Sequence, residues 1–396
     1  MESFDAARCL RFSARTAVGA ATNRLTQAHT ERAASGPLFD LTVANPTDAG
    51  IPYDAAAILG AFQQTENLRY EPLPFGLPSA REAVAADLRA HGTNVTAEQV
   101  VLTASTSEAY SWLFTLLCDP GDAVLVPAPS YPLFDFLAKF SGVELIPYPV
   151  RYDGAHYIDV RDLEERRTER TRAILVVSPN NPTGHYLKET ERRQLLSLDL
   201  PIVSDEVFAR YPLRDDPTRV TSVAGHEKRG LVFALSGLSK LAALPQMKCG
   251  WIVVDGAPAY VEETLERLEW IADTFLSVST PVQRALPALL ASRDVQESAI
   301  RTRCARNLRY LRRCLQGAPI SLRDLEGGWY ATLRLPVHVD EENFCVDLLR
   351  TCGIVVHPGS FFDHDEGSLV VVSLLTPPST FEYATPILIR EVCKEA

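Results

Sequence analysis

The sequence predicts an α/β protein: a mostly parallel sheet sandwiched by helices, followed by a smaller α+β C-terminal domain. Three observations carry this expectation. Residues 79–255 alternate helix-like and strand-like patterns, the signature of a parallel sheet covered on both faces. After Ala257 the pattern changes to long helical stretches through about residue 316, then to strands mixed with two helices. A chain of 396 residues also exceeds what one hydrophobic core usually organises, so two packed domains are expected. We set them at 46–275 for the large domain and 276–396 for the small one, with residues 1–45 as an N-terminal arm and part of the small domain.

In chain order, the opening 40 residues read as helical to about Ala34 and are expected to pack on the small domain or a neighbouring subunit. Ser79 can cap a helix, with Glu82 completing a capping box, and SAREAVAADLRAHG carries helical periodicity. QVVLTA follows as a short apolar strand. Further strands are AVLVPA (123–128), AILVVSP (173–179), PIVSDEVF (201–208), LVFALSG (231–237) and GWIVVDG (250–256), with helical segments between most of them. In the second domain the strands are GGWYATLRLP and SLVVVSLL. No internal repeat, low-complexity tract or flexible linker interrupts the chain.

Composition narrows the function. The chain is 46% hydrophobic and 22% charged, with a net charge of −11. An acidic chain without a Lys/Arg run lacks the phosphate-neutralising charge of nucleic-acid binders. No apolar stretch reaches the roughly 18–20 residues of a membrane helix, and the first residues have no apolar signal-peptide core, so a cytoplasmic location is expected. The eight cysteines show no CxxC pair and no metal-ligand spacing; they read as buried, reduced thiols, and no metal is expected. Small-molecule chemistry is the leading class.

A wound sheet places its ligand beyond the carboxyl ends of its strands. Four such places hold unusual residues. In ASTSEAY, Ser105, Thr106 and Ser107 open a helix, and N-terminal N–H groups with hydroxyls make a phosphate cradle, although plain helix capping explains such a run as well. SPNNPTG (178–184) is a tight loop that aims an Asn toward the sheet edge. In SDEVF, Asp205 follows an apolar strand and, once buried, requires a cationic or hydrogen-bonding partner. In SGLSK, Lys240 lies just past LVFAL; a lysine facing a closed pocket loses solvation and becomes a neutral nucleophile able to form a Schiff base. Each signal alone has a bland reading, but four in order after four strands make a joint one.

The blocks YEPLPFGLPSAREA, PAPSYPLF, SPNNPTG, SDEVF, GLSK and HPGSFF, in this order, resemble those of the fold-type I, class I/II pyridoxal-phosphate aminotransferases, from about residue 40 onward. The resemblance implies pyridoxal 5′-phosphate as cofactor, with Lys240 carrying it as a Schiff base and Asp205 holding the pyridinium proton. It assigns Asn181 to the ring oxygen, Tyr131 to the ring face, and Ser105, Thr106, Ser107 and Ser239 to the cofactor. Tyr70 resembles the tyrosine that reaches the phosphate of the other subunit, which implies a homodimer with shared sites. Lys240 would also serve as the general base of a 1,3-proton shift. Ala44, Asn181 and His357 fall on the substrate side.

Four departures limit the transfer. Phe208 stands where the family usually has a tyrosine bonded to the ring oxygen. Lys248 replaces the usual phosphate-binding arginine and Gly237 a common serine; a lysine offers a point charge rather than a bidentate fork. The arginine that holds the substrate α-carboxylate aligns to about Val371, and no Arg lies between Arg350 and Arg390. Arg210, Arg334 and Lys248 are the candidate substitutes. Ala44 replaces a common glycine and narrows the pocket.

The leading expectation is an aminotransferase moving an amino group between an amino acid, or another amine, and a 2-oxo acid. The alternative is another enzyme on the same scaffold: a β- or γ-lyase, a cyclising synthase or an oxidase. A cofactor-binding regulator has no helix-turn-helix to support it here, and the dinucleotide, P-loop, zincin and serine-hydrolase motifs are absent.

Overall fold

The structure, a computed structural model, describes residues 12–17, 23–226, 229–364 and 367–395. The opening residues 1–11 and 18–22, including Cys9, lie outside the described set. The central sheet has eight strands: β1 (Val100–Thr103), β2 (Ala123–Ala128), β3 (Glu144–Tyr152), β4 (His156–Ile158), β5 (Thr171–Val177), β6 (Ile202–Asp205), β7 (Leu231–Gly237) and β8 (Gly250–Gly256). Their order is β1-β8-β7-β6-β5-β2-β3-β4. The β2, β3, β5, β6 and β7 pairings are parallel, whereas β8 runs antiparallel to both neighbours and β4 closes an antiparallel edge.

The apolar runs form strands because both of their faces are buried. Ile174, Val176 and Ile202 point into one layer, which holds Ala80, Val84 and Ala85 of the helix Pro78–Ala90. Leu175, Val177 and Val203 point into the other, with Tyr110, Leu113 and Phe114 of the helix Thr106–Leu117. Val177, Asp205 and Leu235 are neighbours in register, so the residues that follow them emerge along one edge.

A smaller C-terminal domain carries an antiparallel sheet ordered Ser321–Leu322, Tyr330–Arg334, Leu369–Ser373, His357–Pro358. The helix Arg24–Ser35, capped by the Asn23 side chain on the Leu25 N–H, packs against the helix Glu341–Cys352 of this domain. The helix Thr280–Ala291 packs against Pro78–Ala90, and its Ala285, Leu286, Leu289 and Leu290 enter the core of the large sheet.

Two local expectations are corrected. The helix expected to start at Ser79 starts at Pro78, with Leu77 as the N-cap and no side-chain cap. Proline at the first position has no N–H to satisfy, and the Leu77 N–H is taken by Gln283 Oε1 at 2.6 Å. Glu82 instead pairs with Arg89. Of the described cysteines, Cys249, Cys304 and Cys345 are buried, but Cys118, Cys314 and Cys352 are half-buried and Cys393 is exposed; all seven are free thiols. Among the described residues no cluster of His, Cys, Asp and Glu could hold a metal, and no helix is long and apolar enough to cross a membrane.

Candidate active site

The carboxyl ends of β1, β5, β6 and β7 open into one cavity of about 170 Å³. Lys240 and Asp205 both line it, together with Ser105, Thr106, Ser107 and Asn181. Tyr131, Phe208, Ser239 and Ala44 complete the sequence-predicted part of the wall. The antiparallel strand β8 begins at this same edge, so Gly250 and Cys249 enter the lining where a parallel strand would have presented its far end.

Each group is set by local structure. Ser105 caps the helix Thr106–Leu117, its Oγ accepting from the Glu108 N–H at 3.2 Å, while Glu108 Oε2 accepts from the Ala104 N–H. The capping reading is thus correct for Ser105, and the same N-terminal residues Ser105, Thr106 and Ser107 line the cavity, where the remaining first-turn N–H groups lack an intrahelical carbonyl. In the loop after β5, Asn180 does the structural work: its Oδ1 accepts from the backbone N–H and hydroxyl of Thr183, and its Nδ2 donates to the Pro129 carbonyl. Asn181 is left facing the cavity, its Oδ1 buried with no partner.

Asp205 sits on the β6 face that carries Val203, turned toward the helix Thr106–Leu117. Its Oδ1 accepts from the Val207 N–H at 3.1 Å and its Oδ2 from the Tyr110 hydroxyl at 3.0 Å. Burial pushes its pKa up to about 6 against the pull of those two donors and of Lys240. Lys240 extends from the short helix Leu238–Leu241 over the rings of Trp329 and Phe208, its Nζ 5.2 Å and 5.9 Å from their centroids. Burial lowers its pKa, with the Asp205 charge acting the other way.

Three expected residues lie elsewhere. Lys248 is exposed, because the turn Pro245–Met247 leaves it left-handed at φ 49° and its neighbours Cys249 and Gly250 take the place at the wall. His357 packs its ring in tilted contacts within 6 Å of Phe361 and Phe362 and pairs its backbone with Val371; it is a packed residue outside the cavity lining. Tyr70 is 72% exposed and lines a separate cleft with Glu71, Leu276 and Ser277.

The candidate carboxylate partners do not reach the cavity wall either. Arg210 pairs with Glu297 at 3.3 Å and borders a different cavity, and Arg334 is exposed at the end of its strand. Val371 is buried in the small sheet opposite Thr332 and His357. Lys240 is therefore the only Lys or Arg among the described lining residues. Sequence reading missed Tyr110, Gly250 and Tyr330. No local pattern marks them: Tyr110, on the second turn of the helix Thr106–Leu117, meets Asp205 only through tertiary packing, and Gly250 and Tyr330 arrive from β8 and from the small-domain sheet.

The sequence profile of the aminotransferase class I and II family matches residues 38–382. The chain belongs to that family. Class I and II aminotransferases use pyridoxal phosphate, and the cavity fits it: an orphaned buried amide oxygen, a buried carboxylate and a desolvated lysine share one wall. Gly237 and Gly250 also pack so closely that a Cβ on either would lie 2.9 Å and 3.1 Å from the nearest backbone atom. Among relatives, the glutamate-pyruvate aminotransferase of Escherichia coli is 30% identical over 220 residues, 54% of this chain and 54% of that protein. The matched part thus spans about half the length of that curated relative. The S-alkyl-thiohydroximate lyase of Arabidopsis thaliana is 28% identical over 72% of this chain and 64% of its own length. In fold, the chain is similar to the alanine aminotransferase of Pyrococcus furiosus, with a TM-score of 0.86 and 24% identity over 97% of this chain and 100% of that one.

Proposed function

We propose that the chain is a pyridoxal-phosphate aminotransferase that moves an amino group between an amino acid, or another amine, and a 2-oxo acid. The observation that carries this reading is the shared cavity of Lys240 and Asp205, an amine with lowered pKa and a buried carboxylate. The cofactor, when bound, supplies an aldehyde that condenses with amines and a ring that accepts the electron pair released at the amine-bearing carbon.

The chain's own residues do the rest. Lys240 Nζ, in its uncharged form, would be the nucleophile for the aldehyde and, once displaced, the base that takes the proton from the amine-bearing carbon and delivers it to the former aldehyde carbon. Asp205 would hold the proton on the ring nitrogen. Ser105, Thr106, Ser107 and Ser239 would hold the phosphate, the Asn181 amide N–H would donate to the ring oxygen, and Tyr131 would cover one face. Phe208 and Tyr330 give the wall apolar surface that excludes water.

The same reading takes the enzyme as a cytoplasmic homodimer. The exposure of Tyr70 supports this reading, in which it would serve the neighbour's phosphate site. The large domain, set at 46–275 from sequence, is better drawn past Ala291, because Thr280–Ala291 packs into the large-sheet core. An eliminating lyase remains the second reading, supported by the cation-poor wall and by the plant lyase among the relatives.

The test is borohydride reduction of the cofactor-loaded protein followed by peptide mapping, with a panel of amino donors scored for conversion to the pyridoxamine form. A phosphopyridoxyl mass on the Lys240 peptide and donor-dependent conversion are expected. Label on another lysine overturns the site, and turnover with keto-acid release but no pyridoxamine form transfers the enzyme to the lyases.

A further inference from the structure

Tyr110 lies on the second turn of the helix whose first turn lines the cavity, and it is 2% exposed. Its ring is packed edge-on against Phe134 at 5.0 Å and in a tilted contact with Phe114 at 6.2 Å. The hydroxyl points to one place only, Asp205 Oδ2, at 3.0 Å. A phenol in an apolar layer is costly without a partner, and so is a carboxylate; here each is the other's solution. We propose that Tyr110 is the positioning residue of Asp205, its donated hydrogen bond holding the carboxylate ionised and aimed at the ring nitrogen of the cofactor.

The balance of donors supports this. Among the described residues Asp205 has two donors, the Val207 N–H and the Tyr110 hydroxyl, and only the second is a side chain. The other titratable groups around it are Lys240 across the cavity, Tyr131 at its mouth and Glu206 next in sequence. Glu206 is turned to the opposite face of the sheet, where it accepts from the Val223 N–H at 2.8 Å. Without Tyr110 the carboxylate keeps one neutral donor and is driven by burial toward its uncharged form, which cannot hold a cationic ring nitrogen. The assignment rests on the cofactor reading given above.

The experiment titrates cofactor-free protein with pyridoxal phosphate between pH 6.5 and 8.5, in the parent, Y110F, D205N and the double variant. Y110F is expected to weaken binding roughly tenfold or more at neutral pH, the usual scale for one hydrogen bond to a charged group, with the deficit shrinking as pH rises. In the D205N background the same change should cost little, because the charge it supports is gone. Tyr110→His, which keeps a ring donor, should recover part of the affinity, and Phe114→Leu, which loosens the packing but keeps the hydroxyl, should leave the pH dependence where it was. Equal losses in both backgrounds, or a pH shift in Phe114→Leu matching that of Y110F, would reduce Tyr110 to a packing residue. A parent that binds no cofactor sinks the functional reading; a parent that binds, beside a Y110F that binds equally well, sinks this assignment alone.

Discussion

The phenol of Tyr211 donates a 2.6 Å hydrogen bond to the backbone carbonyl of Lys240. The helix that carries Lys240 is only four residues long, too short to hold its own shape. Its backbone is fixed from outside instead, by Tyr211 and by the Tyr53 hydroxyl on the Ala243 carbonyl at 2.7 Å. Tyr211 is in turn locked edge-on against Trp329, 5.1 Å between ring centroids. The reactive lysine is thus aimed by contacts remote in sequence.

Removing that hydroxyl tests the arrangement. Y211F leaves the Lys240 carbonyl with only the 3.3 Å bond from the Ala243 N–H and is expected to cost about 0.5–1.5 kcal/mol, read as a lower urea midpoint. Cofactor fixation on Lys240 should slow as well. Parent-like stability together with parent-like fixation would show that the short helix holds itself.

The pH dependence of the cofactor-free protein follows from Asp205. Its folded pKa, about 6, lies above its ordinary value of 3.8, so its favourable contribution is complete below about pH 4 and is lost as pH rises through 6. D205N should therefore stabilise the cofactor-free protein above pH 6, by roughly 1–3 kcal/mol, and the gain should vanish below pH 4. Glu206, pushed up to about 7 by burial, acts in the same direction, so E206Q should stabilise at the alkaline end of the same profile. Melting curves from pH 4 to 8.5 decide the sign.

Gly184 ends the loop that presents Asn181. It has φ +74°, and a Cβ there would lie 2.7 Å from the Gly327 carbonyl oxygen of the small domain. Gly184→Ala is expected to cost about 1–3 kcal/mol and to weaken cofactor binding by displacing Asn181. A thermal scan and a cofactor titration on one sample measure both.

Glu326 reaches from the small domain to the same loop region. It accepts from Lys188 Nζ at 2.7 Å, Arg214 Nη2 at 3.0 Å and the Tyr186 N–H at 3.2 Å, and is 5% exposed. Lys188 keeps Asp216 and Arg214 keeps Asp324 when Glu326 is removed, so neither cation is orphaned. Glu326→Ala should then cost about 1–3 kcal/mol, the worth of hydrogen bonds to a charged acceptor, rather than a full buried-ion penalty. Denaturant unfolding gives the figure.

The sequence by itself determined which residues gather at the sheet edge. In a parallel sheet the ends of neighbouring strands must lie side by side, so Asn181, Asp205 and Lys240, each just past an apolar run, could only meet. Ser105 joins them because its strand, β1, points the same way although the antiparallel β8 intervenes. Tertiary structure alone decided the rest. Whether Lys248 faced the cavity depended on the left-handed turn before it, and which side chains would satisfy Asp205 and the Lys240 carbonyl depended on Tyr110, 95 residues from the one, and Tyr211, 29 from the other. Periodicity records which face of an element is buried; it carries no record of which distant donor the packing brings against that face.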